Sequence, residues 1–329
     1  MDPERFPRRA LGCFPTPLHE LPRLSEALGG PRLLIKRDDL TGRGLGGNKI
    51  RKLEFLLGEA LQQGCDTVVT AGAAQSNHCR QTAAAAAACG LECHLALGGS
   101  GTEAPTGNLL LDRLLGAHIH WCGEHRKGED LEEIAAEIRR RGGSPRIIPY
   151  GGSNVTGAMG YMEAAGELAA QLEERGWVVD HIVFASSSGA TQAGLIVGAE
   201  RASLSAGILG IQIDPEDIGG ASLEEKVSEI ATGLAQRLGA PRGFPPREIQ
   251  VEKGYLGDGY GVIGELEREA IRLLAATEGI LVDPVYTGRA LGGLIDLIRR
   301  GRFRRDHCVL FWHTGGTPAL FSAARESMG

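Results

Sequence analysis

Short runs of mostly apolar residues alternate along the chain with longer segments whose apolar positions recur three and four residues apart. RLLIKR, TVVTAG, CHLALG, IHWCG, RIIPYG, HIVFAS, ILGIQI and VLFWHT are the short runs, each followed by a polar or glycine turn, and the pattern predicts strands. A helix-like segment follows each turn. Strand and helix in alternation is the rhythm of βαβ units stacked into parallel sheets, and unbroken apolar runs such as HIVFA and VLFWH suit strands covered on both faces. The expected class is α/β with open parallel sheets. Four strand-helix units fall between residues 51 and 161, which predicts a smaller domain inserted into a larger one made of residues 1–50 and 162–329.

Composition narrows the class without changing it. With 329 residues, 42% apolar and 23% charged, the chain is long enough for two domains with buried cores and too apolar for disorder. A net charge of −6, with no long basic stripe carrying aromatics, argues against nucleic acid as a partner. The opening MDPERFPRRALG lacks the apolar core of a signal peptide and no strongly apolar run of about 18 residues occurs, so the cytoplasm is the expected compartment, with no membrane association. Seven cysteines without CxxC pairs fit reduced thiols. Cys89, Cys93 and His94 straddle a predicted helix end and strand start, so they are expected to be core residues, and no metal site is predicted. The alanines from Ala83 to Ala88 predict a tightly packed helix.

Glycine changes the picture, because 49 glycines are about twice the ordinary share and most of the excess follows apolar runs. In a parallel sheet those turns lie at the carboxyl ends of strands, where helix N-termini offer free N–H groups to anions. Four turns stand out: GGNK at Gly46 to Lys49, AGAAQSNH at Ala71 to His78, SSSGATQAG at Ser186 to Gly194 and HTGGTPAL at His313 to Leu320. Gly42, Gly44 and Gly47 spell GxGxxG, which raises a nucleotide-binding protein as an alternative. A dinucleotide site wants an acid about 20 residues on, at the end of the next strand. Here Asp66 precedes that strand and its end is Gly72. SSSGATQAG is the better phosphate cradle, and a phosphate-bearing cofactor facing a lysine at another glycine turn suggests pyridoxal phosphate bound through Lys49.

GGNKIRKLEFLL, GAAQSNHCRQTAA, GGSNVTGAMGY, SSSGATQAG, DGYGV, TEGILVDPVYTG and HTGGTPALF, in order from about Pro15 to Leu320, resemble the pyridoxal-phosphate lyases that include D-cysteine desulfhydrase and 1-aminocyclopropane-1-carboxylate (ACC) deaminase. The resemblance implies fold type II, as in the tryptophan synthase β chain: two α/β domains with pyridoxal phosphate in the cleft between them, usually as a homodimer. Carried over by motif, Lys49 is the implied Schiff-base lysine. Lys52 and the turn Ser188, Gly189, Ala190 and Thr191 are the implied phosphate ligands, with Asn77 beside the ring hydroxyl. Ser76, Tyr260 and Tyr286 join Lys49 as implied catalytic residues, and Gln75, Ser76, Asn77, His78, Tyr260, Tyr286 and Thr287 make the implied substrate face.

Two departures choose among relatives. The deaminases carry glutamate after DPVY, where this chain has Thr287, and leucine where its HTGG has Thr314. A threonine hydroxyl in place of a carboxylate leaves the cofactor's ring nitrogen largely neutral, which suits elimination of a good leaving group; Thr314 is the expected partner of that nitrogen, with Thr287 the other candidate. The implied reaction is α,β-elimination of D-cysteine to pyruvate, sulfide and ammonia. L-cysteate sulfo-lyase and ACC deaminase activities stay open as alternatives, and the handedness of the substrate is not legible.

Overall fold

The computed structural model describes residues 6–102, 105–214 and 220–323. Near the N-terminus lie strand β1 (Leu18–Glu20), helix α1 (Pro22–Leu28) and β2 (Arg32–Arg37). A glycine-rich turn then leads into α2 (Lys49–Gln62), followed by β3 (Thr67–Ala73), α3 (Asn77–Cys89), β4 (Glu92–Gly98), α4 (Gly107–Leu114), β5 (His118–Trp121), α5 (Leu131–Arg140) and β6 (Pro145–Ile147). The remainder comprises α6 (Val155–Arg175), β7 (His181–Ser186), α7 (Ala190–Arg201), β8 (Gly207–Gln212), α8 (Leu223–Arg237), β9 (Gln250–Glu252), α9 (Glu265–Glu278), α10 (Thr287–Arg299) and β10 (Cys308–His313).

The strands form two sheets. One has six strands in the order β1-β2-β10-β7-β8-β9, the other four in the order β5-β4-β3-β6. All pairings are parallel except β1 with β2. All eight sequence-predicted strands are present, although RIIPYG is strand only through Ile147 and then turns at Tyr150–Gly152. The three-residue β1 and β9 were not anticipated; they lie at the sheet's two edges and are too short to show a period.

Each sheet is covered on both sides, as its apolar strands demand. Along β10, Val309 and Phe311 pack with Leu24, Leu274, Leu291 and Leu294 of α1, α9 and α10, whereas Leu310 and Trp312 pack with Leu168 of α6 and Leu195 of α7. In the smaller sheet, Val68, Leu95 and Leu97 face Leu53, Leu57 and Ala83 of α2 and α3, and Val69, Ala71 and Ala96 face Leu131, Ala135 and Ile138 of α5. The alanine run of α3 is buried there, so its small side chains let the helix lie close to its neighbours. Close approach also sets α6 against α2: a Cβ on Gly160 would stand 2.2 Å from the Arg51 carbonyl oxygen. The seven cysteines are free thiols, with Cys79, Cys93 and Cys308 buried. No helix among the described residues is long and apolar enough to cross a membrane.

Candidate active site

Strand ends and helix starts from both sheets meet around one cavity. Its lining includes Lys49, Ser76, Asn77, His78, Ser188, Gly189, Thr191, Tyr286 and Thr314, all anticipated from sequence, together with Asn48, Ser186 and Ser187 of the two glycine turns, and Tyr150 and Gly151, none of which had been given a role. No aspartate or glutamate lines it among the described residues.

Lys49 opens α2. The Gln81 side chain accepts from the Lys49 and Ile50 backbone N–H groups at 2.9 and 3.2 Å, and the Asn48 N–H donates to the Thr314 carbonyl at 2.9 Å. These bonds fix the helix start beside β10 and leave the Lys49 amine to the cavity. Burial lowers its pKa to about 8. Lys52, one turn on and almost fully buried, donates to the Gly151 carbonyl at 3.1 Å and to Ser153 Oγ at 3.4 Å. Burial, and then the nearby Lys49 charge, push its pKa well below the ordinary lysine value.

Ser153 Oγ lies 2.6 Å from Ser188 Oγ, which ties Lys52 to the turn between β7 and α7. Gly189 is the residue before that helix, at φ +93°, a conformation that would strain any other residue. No side chain caps α7, so the N–H groups of its first turn are left for a ligand. A buried and a half-buried lysine, serine hydroxyls and an uncapped helix start, with no carboxylate to balance them, are the donor set of a phosphate site. The residues present therefore fit the phosphate of pyridoxal phosphate at this turn, with Lys49 lining the same cavity.

Ser76 caps α3 by accepting from the Cys79 N–H at 3.2 Å, which leaves its hydroxyl proton to the cavity. The Asn77 oxygen accepts from Asn108 at 2.8 Å and from Arg80 at 3.4 Å. His78 Nε2 lies 2.8 Å from the Thr70 hydroxyl, which itself donates to the Ile148 carbonyl, so Nε2 carries the proton. His78 Nδ1 is then a buried acceptor with no protein partner, and burial followed by the charges of Lys49 and Lys52 keeps the ring neutral at physiological pH.

Tyr286, just ahead of α10, bonds its hydroxyl to that of Tyr260 at 2.5 Å, so Tyr260 reaches the cavity through Tyr286. Burial raises the Tyr260 pKa to about 12 and that of Tyr286 well above its ordinary value, so both are proton donors near neutrality. Arg126 sits 4.3 Å over the Tyr260 ring and 3.4 Å from the Tyr150 hydroxyl.

Two sequence-predicted residues do other work. Gln75 accepts from the Asn108 N–H at 2.8 Å and donates to the Thr106 carbonyl at 3.0 Å, fastening the segment before α4 instead of lining the cavity. Thr287 is fully buried and its hydroxyl donates to Asp283 at 2.6 Å, which makes it part of the turn into α10 and leaves Thr314 as the cavity threonine. Ala190 is buried within the first turn of α7. Gly42, Gly44 and Gly47 fall around a single 3-10 turn ahead of α2, a different arrangement from a strand running straight into a dinucleotide-binding helix.

Residues 10–315 match the family model described as pyridoxal-phosphate dependent enzyme. A D-cysteine desulfhydrase of Salmonella newport is 45% identical over 326 residues, covering 97% of this chain and 96% of the relative. One of Klebsiella pneumoniae is 45% identical over 325 residues with the same coverage. Among solved structures, an ACC deaminase homologue superposes with a TM-score of 0.89 at 38% identity, covering 100% of this chain and 99% of its own. Diaminopropionate ammonia lyase from Escherichia coli, at 16% identity and a TM-score of 0.68 over 97% of this chain and 87% of its own, shares the fold.

Proposed function

Because the chain belongs to the pyridoxal-phosphate-dependent enzymes, with their fold type II architecture, we propose that it is a carbon–sulfur lyase converting D-cysteine to pyruvate, sulfide and ammonia by α,β-elimination. The observation that carries this reading is the unpaired Lys49 amine, with a pKa of about 8, in a cavity whose described lining holds no carboxylate. Its likeness to the D-cysteine desulfhydrases over 97% of the chain supports the substrate.

When bound, the cofactor supplies an aldehyde that condenses with amines and a conjugated ring that takes up electrons from the substrate's α-carbon. Lys52, Ser188, Gly189, Ala190 and Thr191 would hold its phosphate. Asn77, through its amide NH₂, would face the ring hydroxyl, and Thr314 would give the ring nitrogen a neutral hydroxyl in place of a charged partner. A lysine with a pKa of about 8 spends part of its time as free amine near neutrality, so Lys49 takes the proton from the α-carbon, with Ser76 beside it. Tyr286 donates a proton to the departing sulfur, and Tyr260 replaces it along their shared hydrogen bond. His78, neutral and lacking a partner for Nδ1, accepts a hydrogen bond on the substrate side.

The chain is proposed to divide into domains of residues 1–50 plus 162–329 and of residues 51–161. In support, every strand of the smaller sheet lies between Thr67 and Ile147. The proposed state is a cytoplasmic homodimer.

The test is product release by the cofactor-loaded protein from D-cysteine, with L-cysteine, L-cysteate and ACC as parallel substrates. Sulfide and pyruvate in equal amounts from D-cysteine alone is the expected result. Sulfite release from L-cysteate, or 2-oxobutanoate from ACC, with no sulfide from D-cysteine, would move the substrate and overturn this assignment.

A further inference from the structure

A second cluster of chemistry-bearing side chains lies on the smaller sheet, outside the cavity. Parallel register pairs His94 of β4 with His118 of β5 and Ala96 with His120, so the three imidazoles share one face with Glu92, two residues before His94. The apolar part of that face, with Val69, Ala71 and Ala96, is covered by α5. Glu92 and His118 are exposed, and His94 and His120 are half-buried. The His94 and His118 rings lie 4.6 Å apart between centroids, His94 Nδ1 is 2.9 Å from His120 Nε2, and His94 Nε2 is 3.8 Å from the Glu92 carboxylate.

We infer that Glu92, His94 and His118 form a binding site for a divalent transition-metal ion of the zinc or nickel type, with His120 orienting His94 from behind. One ligand atom from each of the three lies within 4.8 Å of the others. Two ligand atoms on one ion stand at most about 4.2 Å apart, so a modest swing of the exposed Glu92 side chain closes the set. The donor types, two imidazoles and a carboxylate with water completing the tetrahedron, suit that ion.

If His94 Nδ1–H donates to His120 Nε2, the lone pair of His94 Nε2 faces Glu92 and His118, which is the outer-sphere arrangement of histidine ligands generally. A polar edge strand needs no such thing: charge alone blunts an edge, and lysine is the usual choice. Cys93, the nearest thiol in sequence, is buried on the opposite face of β4 and takes no part. This set differs from the Cys89, Cys93 and His94 grouping read as core residues from sequence, and it departs from the expectation that the chain has no metal ligands.

Nickel titration of the substrate-free holoenzyme, followed by calorimetry and thermal melting, tests the inference. The unaltered protein is expected to bind one Ni²⁺ per chain that the His94→Gln/His118→Gln double variant does not bind, and to melt higher with Ni²⁺ where the variant does not. His120→Ala is expected to weaken binding about tenfold or more without removing the site. Absorbance of the bound cofactor, unchanged in the double variant, shows that the cleft is intact. Equal Ni²⁺ binding by the double variant and the unaltered protein, or none by either, would overturn it.

Discussion

Arg51 and Lys52 are neighbours on α2, both buried and both cationic, yet their surroundings are opposite in kind. Arg51 places Nε and Nη2 on Asp38 at 2.8 and 2.9 Å and Nη1 and Nη2 on Glu167 at 2.9 Å. Lys36 also meets Glu167, and Tyr161 donates to Asp38 at 2.7 Å, so two cations face two carboxylates. Burial alone would raise the Asp38 pKa, but Arg51 holds it below the ordinary aspartate value. Lys52 and Lys49 face no carboxylate, only each other, a carbonyl and hydroxyls. A buried, unpaired cation is costly, and two together leave the apoprotein in need of an anion. On one helix, the balanced cluster is scaffold and the unbalanced one is the proposed binding site.

Replacing Lys49 breaks the binding half of the comparison most sharply. Lys49→Ala is expected to lower sulfide release by about a thousandfold or more and to abolish the lysine-bound cofactor's visible band, with apoprotein thermal stability unchanged or raised because the amine has no protein partner to lose. Asp38→Ala attacks the scaffold half. It strands Arg51 and Lys36 on Glu167 alone and is expected to cost about 3–5 kcal/mol in denaturant unfolding. A cost below about 1 kcal/mol, the scale of an exposed pair, would remove the distinction.

The same contrast marks what was legible in the sequence. Lys49 and the Ser188–Thr191 turn could be read because glycine turns after apolar runs announce strand ends, and because a lysine at a helix start is electrostatically out of place. Tyr150 could not, since RIIPYG reads as one strand and only the fold breaks it after Ile147. Ser153 lies in the motif GGSNVTGAMGY but was given no role. Gln75 and Thr287 were given to the substrate by motif, and in this structure they bond to Asn108 and Asp283, contacts that the motif did not announce. The pairing of Arg51 with Glu167 spans 116 positions, and no periodicity encodes a contact of that length.

Lys52→Met sharpens the comparison with a smaller effect of mixed sign. Removing an unpaired buried charge is expected to leave apoprotein stability unchanged or raised by about 1 kcal/mol, while affinity for the phosphate-bearing cofactor falls about tenfold to a hundredfold. Both are read from one experiment, melting at increasing pyridoxal phosphate. If the apoprotein melts far lower, as expected for Asp38→Ala, then Lys52 is scaffold as well.

The gentlest probe is pH. Only the neutral amine condenses with an aldehyde, so with the Lys49 pKa lowered from 10.5 to about 8, cofactor capture by the apoprotein should rise with pH and level off near 9. Between pH 7 and 9 the neutral fraction grows roughly tenfold. An ordinary lysine would keep gaining through pH 10, and such a profile would show that burial does not tune this amine. Linkage gives the sign of the accompanying stability change. Between about 8 and 10.5 the unfolded chain holds a proton on Lys49 that the native apoprotein has lost, so this group makes the fold more stable as pH rises through that window and contributes no slope well below it. Lys52, lowered chiefly by burial, adds a slope of the same sign. Arg51 adds none, because its carboxylates raise its pKa above the ordinary arginine value against the pull of burial.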